Sequence, residues 1–107
     1  MDVSFIVPSY QQGRFIQECL DSIAAQNLPE DTFEVLVIDG GSTDETAHVV
    51  KNHPLQPFFI SEPDRGQAHA VNKGIARAKG SYLAWINSDD YYHPGVFPEL
   101  LTLAKNQ

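Results

Sequence analysis

The chain switches repeatedly between two hydrophobic periods. Val3 to Val7 is a short apolar run closed by Pro8, the pattern of a strand that stops at a loop. From Arg14 the spacing becomes helical. Phe15, Ile16, Cys19, Leu20, Ile23 and Ala24 recur on one face, and Asn27 and Pro29 end the helix. Glu34 to Asp39 reads as a second strand. Its consecutive apolar residues call for burial on both faces, as in a parallel sheet. Gly40 and Gly41 follow. Ser42 with Glu45 three residues on is a capping-box pattern, predicting a helix with Ala47, Val49 and Val50 on its apolar side and Pro54 as its stop. Phe58 to Ser61 is a third strand. Gln67 to Lys79 is a third helix, with Ala68, Val71, Ile75 and Ala78 on one face and Gly80 as its C-terminal signal. Tyr82 to Ile86 is a fourth strand, and a last helix is predicted over Val96 to Lys105, with Pro98 in its first turn.

This β-α-β-α-β-α-β-α order predicts an α/β fold: an open, Rossmann-like, mostly parallel sheet with helices on both faces and right-handed crossovers. The 107 residues amount to one domain with a modest core. No run approaches the roughly 20 apolar residues that span a bilayer. The opening MDVSFIVPSY has an acid at Asp2, a proline at Pro8 and no basic leader, so it is not a signal peptide. The single cysteine, Cys19, rules out an internal disulfide and sits in the apolar helical stripe as core filler. The expected compartment is the cytoplasm. The net charge of −7 carries a further consequence. Scattered Lys and Arg make no basic face, so nucleic acid is not an expected partner. If so acidic a chain binds a diphosphate, positive charge must come from elsewhere, and a carboxylate-held divalent cation is the natural supply.

Open parallel sheets bind ligands beyond the C-terminal ends of their strands. The residues there are Pro8, Ser9 and Tyr10, then Asp39, Gly40 and Gly41, then Glu62 to Arg65, then Asn87, Ser88, Asp89 and Asp90. Asp39, Asp64, Asp89 and Asp90 thus converge on one edge, a costly gathering of like charge unless a cation or donors offset it. Asp89 and Asp90 are adjacent and point in different directions, so one can hold Mg²⁺ or Mn²⁺ while the other does something else. An acidic turn is the plainer reading of the same four residues. The helix after Gly40-Gly41 offers its N-terminus to an anion, or is simply a capped connection. Neither a dinucleotide fingerprint nor a P-loop occurs. Arg65, in a strand-end loop, is a candidate phosphate contact. Lys73 is either that or half of a surface ion pair. Tyr10 offers a ring to a base. His48 and His53 read as surface residues and His69 and His93 as bystanders near the cleft. No histidine pair has metalloprotease spacing, and no Ser or Cys sits in a nucleophile elbow.

Four segments taken in order, FIVPSYQQGRFIQECLDSI, EVLVIDGGSTDET, EPDRGQAHAVNKGIARAKG and YLAWINSDD, resemble the family 2 glycosyltransferases of the GT-A fold. The likeness spans Val3 to Tyr91. It implies that residues 1–107 are the donor-binding half of a truncated GT-A domain, holding a nucleoside diphosphate sugar, a UDP-sugar foremost, across the strand ends. Under it, Pro8, Ser9 and Tyr10 match the loop that contacts the base, and Asp39 the acid that hydrogen-bonds it. Asp44 matches the acid of the G-S-x-D turn. Asp64 and Arg65 match the loop near base and diphosphate. Gly66, Asn72, Lys73 and Gly74 match the segment beneath the donor. Asp89 matches the last acid of the D-x-D motif, which holds Mg²⁺ or Mn²⁺ on the diphosphate, and Asp90 follows it. The sequence departs from the pattern at Asn87, which replaces the first Asp and offers an acceptor oxygen without charge, and at His69, where many relatives carry Asp.

The implied activity is transfer of the sugar to the hydroxyl of a glycan or lipid-linked acceptor, with inversion, as in polysaccharide biosynthesis. The implied setting is cytoplasmic or peripheral to the inner face of the membrane. The acceptor site and general base belong to the second half of the family's domain, and no residue here corresponds to them. That leaves a nucleotide-sugar-binding fragment without turnover as the alternative, and a self-associating one, because the missing half would cover apolar surface. Two other classes fit less well. A nucleotidyltransferase would carry a Gly-rich basic loop where PSYQQGR stands, and a phosphoacceptor receiver domain would carry acids where Pro8 and Ser9 stand.

Overall fold

The computed structural model describes residues 1–92, so the predicted helix over Val96 to Lys105 lies outside the described residues. The elements are β1 (Val3–Ser9), α1 (Ile16–Ala24), a 3₁₀ turn (Glu30–Thr32), β2 (Phe33–Asp39), α2 (Thr46–Lys51), β3 (Phe58–Ser61), α3 (Gln67–Arg77) and β4 (Tyr82–Trp85). The four strands form one parallel sheet in the order β3-β2-β1-β4. The predicted α/β architecture is therefore present, with β1 and β2 buried in the middle.

Helices cover both faces. Val3, Phe5 and Val7 of β1 and Val35 and Val37 of β2 point to one side, where they meet Ile16, Cys19, Leu20 and Ile23 of α1 and Val50 of α2. The alternate residues Ile6, Leu36 and Ile38 point to the other side and meet Ala70 and Val71 of α3. The apolar runs of β1 and β2 follow from this two-sided burial.

The chain departs from its sequence pattern in several instructive places. Pro8 does not end β1, which continues to Ser9 with Pro8 opposite Ile38. Successive residues of β1 turn their backbone groups to opposite neighbours. The Ile6 carbonyl accepts from Ile86 on the β4 side, and the Ser9 carbonyl from Gly40 on the β2 side. Pro8 has the parity of Ile6, so its missing N–H faces the β4 side, beyond the last rung at Trp85. A proline is tolerated there because no ladder bond is owed. Phe15 precedes α1 and stands exposed, with the Arg14 guanidinium 5.7 Å from its ring centre.

The capping box is not formed. α2 begins at Thr46 rather than near Ser42, and the Ser42 hydroxyl bonds Asp39 instead. The core face of α3 is Ala70, Val71 and Gly74, while Ala68 and Ile75 are exposed. The reason is Gly74. A Cβ there would lie 2.6 Å from Ile6 Cγ2, so the helix rests directly on β1 through its glycine. Gly80 does not cap α3 in a left-handed turn. It passes so close to β1 that a Cβ would stand 2.6 Å from the Ser4 nitrogen. His53, expected at the surface, is buried. Its Nδ1 accepts from Leu55 N–H, which leaves Nε2–H to donate to Asp21 at 2.7 Å.

β4 is an edge strand, and Tyr82, Leu83 and Trp85 on it are exposed. No helix among the described residues is long and apolar enough to cross a membrane.

Gly74→Ala sets two effects against each other. Alanine gains about 1 kcal/mol of helix propensity, but overpacking a filled core costs about 1–3 kcal/mol. Ile6 is fully enclosed and cannot retreat, so overpacking wins. The variant should lose about 1–2 kcal/mol in a urea unfolding series, and an unchanged or higher midpoint would contradict this packing.

Candidate functional site

The sheet parts at its C-terminal edge. The β1–β4 ladder ends at Ile6 opposite Trp85, while β1 runs on through Pro8 and Ser9. Beyond that fork lies a cavity of about 510 Å³. It occupies the point where the chain, having built outward from β1 to β2 and β3, returns to the other side of β1 as β4. Such a switch point is where open α/β sheets bind ligands.

Of the residues expected from sequence, Pro8, Ser9, Tyr10, Gly40, Asp64, Asn87, Ser88 and Asp89 line this cavity together. Asp39, Arg65 and Asn72 do not. Asp39 is fully buried below the wall. Its Oδ2 accepts from the N–H groups of Gly41 and Ser42 and from the Ser61 hydroxyl, and its Oδ1 from the Ser42 hydroxyl. Arg65 and Asn72 are exposed outside the cavity, and Lys73 pairs with Glu62 at 2.9 Å. No Lys or Arg lines the cavity among the described residues. Asp90 borders a smaller cavity of about 270 Å³ on the other side of Asn87. Gln12, Gln67 and Ala70 also line the main cavity and were not singled out from sequence, whereas Pro63, another lining residue, stands in the Glu62 to Arg65 loop named above. Gln12 and Gln67 each stand two residues past the strand-end residues named above, Tyr10 and Arg65, so a search extended by two residues beyond each of those loops would have included them.

Two loops are fastened to one another beside the cavity. Gln11, in a left-handed conformation (φ 54°), reaches across from the loop after β1. Its side-chain oxygen accepts from the N–H groups of Thr43 and Asp44, its side-chain nitrogen donates to the Thr43 hydroxyl, and its backbone N–H donates to the Ser42 hydroxyl. Asp44 closes the bridge by accepting from Gly13 N–H, Thr46 N–H and the Thr46 hydroxyl. The Thr46 hydroxyl is the main reason that the Asp44 carboxyl is held below the usual aspartate range; partial desolvation opposes it, and the Thr46 and Gly13 N–H groups add to it. Gly41 makes the turn at φ 91°, a conformation that side chains resist. Gly40 has a different use. A Cβ on it would press within 3.1 Å of Asp64 Oδ2, so its bareness lets that carboxylate lie over the strand end. Asp64 Oδ1 is held by Gly66 N–H at 2.9 Å.

On the far wall, the Oδ1 of Asn87 accepts from the Trp85 indole at 2.9 Å and also from the Gln67 side-chain nitrogen. Asp89 is exposed to the cavity and Ser88 is buried behind it. The acid pair stands near α1. Burial first, and then the charges of Asp90 and Asp89, push the Cys19 thiol up to about 12. Cys19 is therefore an inert core residue. Ser9 differs from its neighbours. It is buried, it lines the cavity, and its hydroxyl is the one buried side-chain polar atom without a hydrogen-bond partner among the described residues.

Residues 4–107 match the family described as Glycosyl transferase family 2, and the chain belongs to that family. It is 34% identical over 95 residues to poly(ribitol-phosphate) beta-N-acetylglucosaminyltransferase TarS of Staphylococcus aureus, covering 85% of this chain and 17% of that protein. It is 36% identical over 96 residues to chondroitin synthase of Pasteurella multocida, covering 86% of this chain and 10% of that protein. Among solved structures, S. aureus TarS 1-349 in complex with UDP-GlcNAc superposes with a TM-score of 0.89 at 28% identity, over 99% of this chain and 32% of that one. A mannosyltransferase from Pyrobaculum calidifontis in complex with GDP-Man and Mn²⁺ gives 0.81 at 33% identity, over 96% of this chain and 31% of that one. The chain thus spans a third or less of the length of these relatives.

Two consequences are measurable. A buried hydroxyl without a partner costs about 1–3 kcal/mol, so Ser9→Ala should leave the urea midpoint unchanged or raise it. A clear loss of stability would mean that Ser9 has a partner in solution. Asp44 gives a pH dependence. Its folded-state pKa lies below its unfolded one, so its contribution is complete above the unfolded value of about 3.9 and disappears as pH falls through the folded value. Asp44→Asn should therefore be less stable than wild type at about pH 6, with the gap narrowing as pH falls below the unfolded value.

Proposed function

We propose that residues 1–107 are the donor-binding half of a GT-A glycosyltransferase. In this reading the cavity at the β1–β4 fork takes a nucleoside diphosphate sugar, a UDP-sugar by preference. The sugar then passes, with inversion, to the hydroxyl of a glycan or lipid-linked acceptor. The observation that carries the reading is the charge of the cavity in a chain of this family: Asp64 and Asp89 line it, and no Lys or Arg does among the described residues. A diphosphate entering such a site needs a cation brought with it.

The residues fit a divalent ion of that kind. No cluster of three or more His, Cys, Asp or Glu able to hold a metal occurs among the described residues, so those residues do not form a cage. Mg²⁺ and Mn²⁺ suit the opposite arrangement, one or two carboxylates plus phosphate oxygens and water. Asp89, exposed at the cavity wall, is the proposed ligand. When bound, the ion stabilises negative charge on the leaving diphosphate. The remaining tasks fall to the chain itself. The exposed ring of Tyr10 offers the base a stacking surface. The Ser9 hydroxyl, without a partner among the described residues, gains one from the ligand, and Gly40 leaves room for Asp64 at the strand end.

The general base that would deprotonate the acceptor hydroxyl is assigned to the second half of the family's domain, outside the stretch matched here. Donor binding without turnover is accordingly the second reading for these residues taken alone, supported by the small share of each relative that they span. A cytoplasmic setting accords with the buried, inert Cys19.

Thermal melting of the chain with UDP or GDP, each with and without Mn²⁺, tests the proposal. At a hundred times its dissociation constant, a ligand adds about 2.7 kcal/mol, which is about ten degrees for a domain this size. The shift should need nucleotide and metal together for its full size, shrink in Ser9→Ala, and lose its metal component in Asp89→Asn. A cooperative melt that no nucleotide moves would defeat the proposal.

A further inference from the structure

Asn87 lines the main cavity at the first position of N-S-D-D, and its side-chain oxygen is already engaged. The Trp85 indole Nε1–H donates to Asn87 Oδ1 at 2.9 Å, and Gln67 Nε2 donates to the same atom. The tryptophan decides the orientation of all three groups. An indole N–H can only donate, so the Asn87 atom facing it is the oxygen and not the nitrogen. An oxygen at that position in turn requires Gln67 to present its own NH₂. Two donors fill the two lone pairs of an amide oxygen. The part of Asn87 that remains for a ligand is its NH₂, a pair of donors.

We infer that Gln67 and Trp85 are positioning residues that hold Asn87 as a hydrogen-bond donor to a diphosphate oxygen of the nucleotide, so that position 87 is neither a metal ligand nor an acceptor. The inference rests on the nucleotide-sugar reading above. It also explains how an acidic cavity with no Lys or Arg among its described residues accommodates an anion: neutral donors supplement the metal, and a carboxylate at position 87 would add repulsion instead. The acceptor role expected of Asn87 from sequence is replaced, because its oxygen serves the protein.

The test is calorimetric titration of the chain with UDP and with GDP, once in EDTA and once with Mn²⁺, for wild type, Asn87→Ala, Asn87→Asp, Gln67→Met, the double variant Asn87→Ala with Gln67→Met, and Asp89→Asn. Loss of a hydrogen bond to a charged oxygen should weaken binding about tenfold in Asn87→Ala, with Mn²⁺ as well as without it. Asn87→Asp keeps both clamp donors satisfied but replaces the NH₂ with a charged oxygen, so it should weaken metal-free binding at least as much. Gln67→Met should move in the same direction but add nothing to Asn87→Ala, because it acts through that residue. The ratio of affinities with and without Mn²⁺ should stay within about twofold of wild type in Asn87→Ala and collapse in Asp89→Asn.

A collapse of that ratio in Asn87→Ala would make Asn87 a metal ligand and overturn the inference. So would metal-free binding that survives Asn87→Asp intact, or a Gln67→Met effect that adds fully to that of Asn87→Ala. If wild type binds neither nucleotide under either condition, the nucleotide-sugar reading fails and this one with it; if wild type binds and the variants misbehave, only the assignment to Asn87 fails.

Discussion

The Asp39 carboxylate is the anchor on which the site depends. A fully buried carboxylate is tolerable only when donors surround it, and Asp39 takes four: two backbone N–H groups from the turn after β2, the Ser42 hydroxyl, and the Ser61 hydroxyl from the end of β3. These bonds fix the turn through Gly41 and pin β3 to it. The Ser42 hydroxyl, while donating to Asp39, accepts from Gln11 N–H and so passes the constraint to the loop after β1. Gln11 and Asp44 complete the connection. One acid thereby sets the relative positions of three strand-end loops, on which Ser9, Gly40 and Asp64 sit. The rigidity needed to hold a ligand comes from a residue that need not touch it.

The opening itself comes from a backbone limit. β1 and β4 pair only as far as Ile6 and Trp85, and past that rung Pro8 has no N–H to extend the ladder. The strands separate there, and the space between them becomes the cavity. The same fork places Trp85 at the end of the exposed edge strand, one hydrogen bond from Asn87. The sheet edge and the cavity wall are thus one structure, and polypeptide packed against β4 would bear directly on position 87.

Much of this was legible in the sequence. The strands announced themselves because β1 and β2 are buried on both faces and so read as unbroken apolar runs, and the strand-end rule gathered most of the cavity wall without any knowledge of side-chain contacts. The failures have a common cause. Ser42 and Glu45 have capping-box spacing, but a buried carboxylate three residues upstream competes for the same hydroxyl and wins. The face of α3 was misread because the residue in closest contact with the sheet is Gly74, which a count of apolar side chains passes over. His53 reads as polar and turns out buried because Asp21 and Leu55 N–H satisfy both ring nitrogens. In each case the fold decided which partner won, near in sequence for Ser42 and far from it for Gly74 against Ile6 and His53 against Asp21, and spacing alone carries no record of that choice. Asp39 illustrates the same limit at the site: its position at a strand end was plain, whereas its enclosure by four donors was not.

The acidity of the chain, with a net charge of −7, sharpens the chemical problem at the cavity. A basic site would bind a diphosphate through fixed charge and would hold the departing nucleotide just as firmly. Here the described wall offers hydroxyls, carboxamides and two carboxylates, so attraction for an anion is weak until a divalent cation joins it. In the proposed reading, charge that arrives and leaves with the ligand makes binding conditional on the metal. Neutral donors held in place by their neighbours then give direction without adding permanent attraction. If the proposed transfer takes place here, a wall of this composition suits release of the nucleoside diphosphate, since no Lys or Arg among its described residues opposes departure of the anion once the metal follows.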